Sequence, residues 1–139
     1  LAESDRVCSA LQLINFWQDL SVDLPRGRYY LPAADCRAHG IDPSQPATGS
    51  TPAQRAALVR ELSQWARDMM AGGAAVAHRV PGRAGWELRA VVQGGLRILD
   101  RIEAQGFDTF TRRPRLGVAD APRILWRALR MKKPATRAM

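Results

Sequence analysis

Residues 10–32 read ALQLINFWQDLSVDLPRGRYYLP, and this stretch combines an apolar helix pattern with a regular series of polar residues. Gln12 lies three positions before Asn15, and Asp19 and Asp23 follow Asn15 at steps of four. Residues three or four apart lie on the same side of an α-helix. The four polar side chains are therefore predicted to form one stripe. Most other positions are apolar, which is typical of a helix buried within a bundle.

The rest of the chain predicts further helices and no β-sheet. Apolar residues at helical spacing run over 3–23, and Pro25 with Gly27 ends that segment. Within the polar loop of residues 33–52, a short helix is expected at 33–39. Ser50 or Thr51 can cap a long helix that starts at Pro52 and runs to about residue 78, where VPGRAG interrupts it. Another helix is expected at about 85–105, and AQGFD ends it with a glycine. The predicted fold class is all-α.

Length and composition indicate one globular domain with a real core, since 46% of the 139 residues are hydrophobic and 24% are charged. No apolar run approaches the roughly 20 residues of a membrane span, and the first residues lack the pattern of a secretory signal. We therefore expect a cytoplasmic protein. The two cysteines, Cys8 and Cys36, are expected to be thiols rather than a disulfide. Cys36 and His39 have a metal-like spacing, but only Cys8 and His78 remain as further soft ligands, so a zinc site is not expected.

The net charge of +8 comes from the end of the chain. Residues 1–111 hold 12 Arg or Lys and 12 Asp or Glu, whereas residues 112–139 hold nine basic residues and only Asp120. Residues 121–133, APRILWRALRMKK, alternate apolar and basic positions at helical spacing. Such a helix is typical of membrane-surface binding and less often of nucleic-acid contact. The alternative is a helix docked on its own domain with a solvated basic face.

The two aspartates of the stripe are unfavourable for helix stability alone. Carboxylates one turn apart repel each other by a few tenths of a kcal/mol, and the helix dipole near a C-terminal end disfavours negative charge by a similar amount. A cation reverses both penalties, and carboxylates about 6 Å apart along the axis suit Mg²⁺, which often bridges to substrate phosphates. The alternative is a solvent-facing helix with ordinary ion pairs. Asn15 and Gln12 on the same side favour a metal and diphosphate site.

These residues resemble the squalene/phytoene synthase family. QLINFWQDLSVDLPRGRYYLP is similar to the second aspartate-rich motif of that family, approximately Q-L-x-N-x-x-x-D-x-x-x-D followed by G-R-x-Y-L-P. GGLRILDRIEAQGFDTFTRRPRL, residues 94–116, resembles the family's late helix and the segment after it. The resemblance covers most of residues 5–116. It implies the C-terminal half of an isoprenoid synthase helical bundle, here residues 1–116, followed by a basic amphipathic tail, residues 117–139.

The resemblance also implies roles for the stripe and its neighbours. Asp19, Asp23 and Asn15 would be catalytic residues that hold Mg²⁺, while Gln12 would orient a diphosphate oxygen or a water. Arg28 would clamp the diphosphate, with pairing to a local carboxylate as its alternative. Tyr29 and Tyr30 would line the cavity mouth, and one of the two is expected to be structural. The implied substrate is an isoprenoid diphosphate, and no nucleic acid is expected as a partner.

Two positions resemble one branch of the family. Typical phytoene synthases have Arg before the first aspartate, where this chain has Gln18, and many relatives have Tyr at the position of Gly95. Both features are similar to the bacterial hydroxysqualene synthases of the hopanoid pathway. That branch implies Mg²⁺-assisted conversion of presqualene diphosphate to hydroxysqualene without NADPH. Gly95 would open space for the quenching water, or would only permit close helix packing. Phytoene or dehydrosqualene synthesis is the alternative activity.

The family uses two aspartate-rich motifs on facing helices, and this chain carries one of them. The missing N-terminal half of the enzyme is therefore an expected partner, the 139-residue chain alone is expected to be inactive, and some apolar faces are expected to be exposed. Two alternatives belong to other classes. One is a non-catalytic helical module that binds anionic lipid or nucleic acid through its tail, and the other is a prenyl-binding or regulatory fragment.

Overall fold

The computed structural model describes residues 1–133, and within that range the protein is all-α with no strand. The three long helices are α1 (Ala2–Gln18), α4 (Pro52–Gly73) and α6 (Gly82–Ala104). Shorter helices are α2 (Leu20–Asp23), α3 (Ala33–Ala38), α5 (Val76–Arg79) and α7 (Ala121–Leu129), and 3-10 turns cover Leu24–Arg26 and Val118–Asp120. The predicted fold class is confirmed.

Local signals explain two of the boundaries, the start of α4 and the end of the turn after α2. Thr51 caps α4 by accepting a hydrogen bond from the Gln54 N–H, and the Gln54 side chain accepts one from the Thr51 N–H. This reciprocal pair satisfies two amides that a helix start leaves free. Gly27, at φ 73°, ends the turn after α2 in the left-handed region, which glycine adopts without steric cost.

Three predicted boundaries were wrong in detail. The helix expected over residues 3–23 is divided at Asp19, and the helix expected to reach residue 78 ends at Gly73 before the separate turn of α5. The helix expected from residue 85 starts three residues earlier, at Gly82. Gly82 has a φ of 68° and comes directly after Pro81, which is extended. VPGRAG therefore interrupts the helices for only two residues, Val80 and Pro81.

The core lies between α1, α4 and α6. α1 packs along α4, and both contact α6. Trp17, Ile14 and Leu20 are fully buried on the α1–α2 side. The other long helices contribute apolar side chains that are equally buried: Leu58, Val59, Leu62, Ala66, Met70, Val92, Leu99 and Ile102.

α1 is buried on one side only, so the prediction of a helix enclosed within a bundle was wrong for the described residues. Val7, Ala10, Ile14, Trp17 and Gln18 face the core. Ser4, Cys8, Gln12 and Asn15 are exposed on the opposite side. The polar stripe therefore begins on an open face of the helix.

α7 lies against α6, as the docked alternative for the basic tail expects. Ala128 is its buried contact, and Ile124 is half-buried. The division into residues 1–116 and 117–139 stays a prediction, and residues 134–139 of that tail lie outside the described range.

The prediction of free thiols is confirmed for the two cysteines within residues 1–133. Cys8 and Cys36 are both free thiols, one exposed and one buried. Burial raises the pKa of the Cys36 thiol, which makes it less reactive. The described residues contain no cluster of three or more His, Cys, Asp or Glu side chains placed to bind a metal ion. None of the described helices has the length and apolar content needed to cross a membrane.

Candidate active site

Backbone hydrogen bonds hold the aspartate stripe in register through the junction of α1 and α2. The Asp19 N–H donates to the Asn15 carbonyl at 3.0 Å, and the Asp23 N–H donates to the Asp19 carbonyl at 2.8 Å. These are the i to i−4 bonds of an α-helix. The division at Asp19 therefore leaves the predicted one-turn spacing of Asn15, Asp19 and Asp23 intact.

Each aspartate of the stripe lies beside a guanidinium group. Asp19 Oδ1 accepts a hydrogen bond from Arg113 Nε at 2.6 Å, and Asp23 Oδ1 lies 3.7 Å from Arg28 Nη1. The Asp19 side chain is 31% exposed and the Asp23 side chain is 13% exposed. Arg28 therefore does pair with a local carboxylate, which was the alternative to its role as a diphosphate clamp.

Gln18 fixes the segment that carries Arg113. Its side chain is buried, and its Nε2 donates to the Pro114 carbonyl at 2.7 Å. Gln18 and Asp19, which are neighbours in sequence, thus bind Pro114 and Arg113, which are also neighbours. A second support comes from Gln105, whose Nε2 donates to the Arg112 carbonyl at 3.0 Å.

A basic cleft of about 350 Å³ opens beside this segment. Arg101 and Gln105 from the end of α6 form one wall, and the chain after α6 forms the other. The second wall carries three guanidinium groups, those of Arg112, Arg113 and Arg115. Guanidinium groups bind phosphate oxygens in pairs of hydrogen bonds, so the cleft is chemically suited to an anionic group, and Arg113 connects it to Asp19.

The two tyrosines after the stripe lie in different surroundings, although both are exposed. Tyr30 stacks on Phe16 with ring centroids 4.4 Å apart and an interplanar angle of 8°. Tyr29 lines an apolar pocket of about 330 Å³ with Leu24, Pro25 and Phe110. Tyr30 therefore has a packing contact with α1, and Tyr29 is the tyrosine that borders a cavity.

Gly95 is a close-packing position, and the structure shows no open space there. A Cβ atom at this residue would lie 3.0 Å from Leu11, 3.1 Å from Met70 and 3.3 Å from Ile14. The room that glycine leaves is already filled by three apolar side chains from α1 and α4. The interpretation of Gly95 as an opening for water was wrong, and its alternative, close helix packing, describes the contact.

The structure thus brings some of the predicted site residues together and separates others. Asn15, Asp19, Asp23 and Arg28 lie along one edge, while Tyr29 faces the apolar pocket. Gln12 starts the stripe one turn before Asn15 and is exposed. Arg113 was missed, because it lies 94 positions from Asp19 and helical periodicity carries no information about such distant contacts. The resemblance of TFTRRPRL to the family was the signal that could have drawn attention to it.

The donor set fits a magnesium ion. Asp19 and Asp23 offer carboxylate oxygens and Asn15 an amide oxygen on successive turns, and Mg²⁺ prefers such ligands while keeping several waters. The guanidinium group of Arg113 already places one positive charge on Asp19. With a metal ion bound, these residues would form one side of its coordination shell, and the other ligands would come from water, substrate or a facing carboxylate.

In fold, the protein is consistent with the all-α class of isoprenoid synthases. The chain belongs to the squalene/phytoene synthase family, since the family model described as squalene/phytoene synthase matches residues 1–120.

Two curated relatives agree with this assignment. The chain is 37% identical over 117 residues to a phytoene synthase of Thermus thermophilus, which covers 83% of this chain and 39% of that protein. It is 29% identical over 110 residues to the chloroplastic phytoene synthase of Daucus carota, which covers 79% of this chain and 28% of that protein. The chain therefore spans well under half the length of these relatives. No solved structure shows significant similarity to it.

Proposed function

We propose that this chain supplies the second aspartate motif of an Mg²⁺-dependent synthase that converts presqualene diphosphate to hydroxysqualene or squalene in hopanoid biosynthesis. The observation that carries the proposal is the register of Asn15, Asp19 and Asp23 on successive turns beside an arginine-lined cleft. The first aspartate motif and the facing helices would come from the remainder of the enzyme. On that account the 139-residue chain alone does not turn over substrate.

Departure of the diphosphate is the step that the stripe would promote. The bond between carbon and the diphosphate oxygen breaks, and its electron pair leaves with the diphosphate. Mg²⁺ held by Asp19, Asp23 and Asn15 would neutralise the charge that develops on the leaving group. The resulting cyclopropylcarbinyl cation rearranges, and attack by water with loss of a proton gives hydroxysqualene. Hydroxysqualene formed in this way needs no reductant, so no NADPH is expected for it, whereas squalene would need a hydride donor in place of water.

The neighbouring residues would orient the diphosphate. Gln12 reaches an oxygen or a water at the start of the stripe, and Arg28 can exchange its 3.7 Å contact with Asp23 for a phosphate oxygen. Arg112, Arg113 and Arg115 add positive charge on the side of the cleft. Tyr29 would border the substrate cavity, while Tyr30 would support α1 through its stacking on Phe16.

Phytoene or dehydrosqualene synthesis is the second candidate, and both curated relatives favour it, since both are phytoene synthases. Gln18 is the residue that argues for the hydroxysqualene branch. It is a neutral side chain bound to the Pro114 carbonyl at a position where typical phytoene synthases carry Arg. Gly95 is tightly packed and permits close helix contact, so it does not distinguish between the two activities.

Product analysis separates the two candidates. The full-length protein that carries this chain is incubated with Mg²⁺ and either presqualene diphosphate or geranylgeranyl diphosphate, with and without NADPH, and the lipids are analysed by mass spectrometry. We expect hydroxysqualene from presqualene diphosphate without NADPH, and its loss in Asp19→Ala. Phytoene from geranylgeranyl diphosphate, with presqualene diphosphate unchanged, would overturn the proposed substrate in favour of the second candidate.

A further inference from the structure

The outer face of α7 is apolar and exposed. Leu125 is 58% exposed, Trp126 59% and Leu129 62%, although each is a large hydrophobic side chain. The three lie within five residues on a helix of nine. Exposed apolar residues that are grouped in this way mark a contact surface more often than scattered ones do.

Ion pairs with two aspartates hold α7 so that this face points away from the domain. Asp100 on α6 accepts hydrogen bonds from Arg127 at 2.6 Å and from Arg67 at 3.2 Å. Burial opposes ionisation of Asp100, but the charges of Arg127 and Arg67 outweigh it and lower the pKa of the carboxyl group. The bond from Arg127 fixes the inner side of α7 against α6.

Asp120, just before α7, anchors the other end of the contact. The Gly117 N–H, together with Arg97 and Arg101, holds the pKa of this carboxyl group well below its ordinary value. Arg97 Nε donates to Asp120 at 2.7 Å, and Arg101 donates to both of its oxygens at 2.9 Å. Because Asp120 is only 1% exposed, these charge-assisted bonds are shielded from solvent.

The basic residues around the apolar face are exposed and remain available to a partner. Arg123, Arg130, Lys132 and Lys133 are all exposed, and residues 121–133 contain no acidic side chain. The Arg130 guanidinium lies over the Trp126 ring at 4.9 Å from its centroid. The surface therefore combines an apolar centre, an indole ring and a basic border.

We propose that this outer face of α7, formed by Leu125, Trp126 and Leu129 with its border of Arg123, Arg130, Lys132 and Lys133, binds the surface of an anionic lipid bilayer. The helix lies parallel to the membrane plane, with the two leucines at the acyl boundary and the indole at the headgroup level. Basic side chains at the border attract acidic headgroups. The bilayer is favoured over nucleic acid because the centre of the surface is apolar. The inference does not depend on the proposed catalytic activity.

Vesicle sedimentation tests the proposal. The full-length protein that carries this chain is mixed with vesicles of phosphatidylcholine alone and with vesicles that also contain phosphatidylglycerol, at low and at raised salt. We expect binding to the anionic vesicles, and weaker binding to neutral vesicles and at raised salt. The double variant Trp126→Ala, Leu129→Gln should lower the partition coefficient by about tenfold, because it removes the apolar contact area.

Trp86→Ala is the matched control. Trp86 is also exposed and also lies under an arginine, with Arg89 at 4.5 Å from its ring centroid, but it belongs to the start of α6. Its substitution should leave vesicle binding unchanged. Lys132→Glu with Lys133→Glu lies beyond the helix and tests the basic border separately, so the proposal stays testable if the α7 variant unfolds.

Three outcomes would overturn the proposal. The first is that the unmodified protein shows no preference for anionic vesicles. The second is that the α7 variant and Trp86→Ala lose binding equally. The third is that the α7 variant abolishes self-association in gel filtration while vesicle binding is unchanged, which would assign the surface to a second copy of the chain.

Discussion

Arg113 occupies a side of Asp19 that a divalent cation would need. Its Nε lies 2.6 Å from Asp19 Oδ1, and Gln18 holds the neighbouring Pro114 at 2.7 Å. A cation that binds Asp19 must therefore displace this guanidinium group or share the carboxylate with it. When displaced, Arg113 would be close enough to the basic cleft to meet the diphosphate.

Arg113→Gln is predicted to strengthen metal binding. A partly exposed ion pair is worth about 0.5–1 kcal/mol, which corresponds to about a two- to fivefold gain in Mn²⁺ affinity when the competing arginine is removed. Electron paramagnetic resonance of free Mn²⁺, titrated against the full-length protein, measures this affinity.

Arg115→Gln is the control for this change, because Arg115 is an exposed arginine of the same cleft. It should change the affinity less than Arg113→Gln does. Unchanged or weaker Mn²⁺ binding in Arg113→Gln would contradict the competition between Arg113 and metal.

Sequence predicted well what depends on spacing within one helix. Asn15, Asp19 and Asp23 keep their one-turn register because two successive backbone bonds maintain it. Contacts between segments distant in sequence were not predicted. The bond between Gln18 and Pro114 spans 96 positions, so the resemblance marked Gln18 as unusual without showing what it binds.

The late helix α6 carries two adjacent glycines with opposite surroundings. A Cβ atom at Gly94 would meet nothing within 4 Å, whereas one at Gly95 would press on Leu11, Met70 and Ile14. The sequence shows GG as a pair and cannot tell which of the two faces a neighbour. The contact depends on how α1, α4 and α6 pack together.

Substitution by glutamine should therefore have opposite effects at the two positions. Gly94→Gln is predicted to stabilise the fold by about 0.5–1 kcal/mol, because glutamine is a better helix former than glycine. Gly95→Gln is predicted to destabilise it by about 1–3 kcal/mol, because the side chain overfills the contact. Urea denaturation of the two variants measures both free energies of unfolding, and equal effects would contradict the packing described for Gly95.

Helix ends were predictable where a local sequence signal marks them. The start of α4 was predicted because Thr51, Pro52 and Gln54 form a local capping signal. The division between α1 and α2 at Asp19 was not predicted, since the apolar pattern continues through Leu20 and Val22.

At the scale of the whole molecule, the all-α class and the family were predictable, whereas the choice between an enclosed stripe and a solvent-facing one was not. Its helical pattern is that of an enclosed helix, yet Gln12 and Asn15 lie on an open face of the described structure. That open face is the side on which we propose that the facing aspartate motif packs. The tail was ambiguous from sequence, because a basic amphipathic pattern suits both a docked and a membrane-bound helix. α7 is docked through Ala128 and exposes Leu125, Trp126 and Leu129.

The central claim is that the carboxylates of Asp19 and Asp23 promote loss of diphosphate, and the rate of diphosphate release tests it most directly. The measurement uses the full-length protein that carries this chain, with presqualene diphosphate and Mg²⁺. Asp5→Asn is the matched control, since Asp5 is an exposed carboxylate of the same helix α1.

We predict that Asp19→Asn and Asp23→Asn each lower the rate by at least about 100-fold, as loss of a metal ligand should. Chelation of Mg²⁺ should abolish release, and Asp5→Asn should retain the rate of the unmodified protein. Diphosphate release that persists in both Asp19→Asn and Asp23→Asn, at the rate of the Asp5→Asn control, would contradict the account.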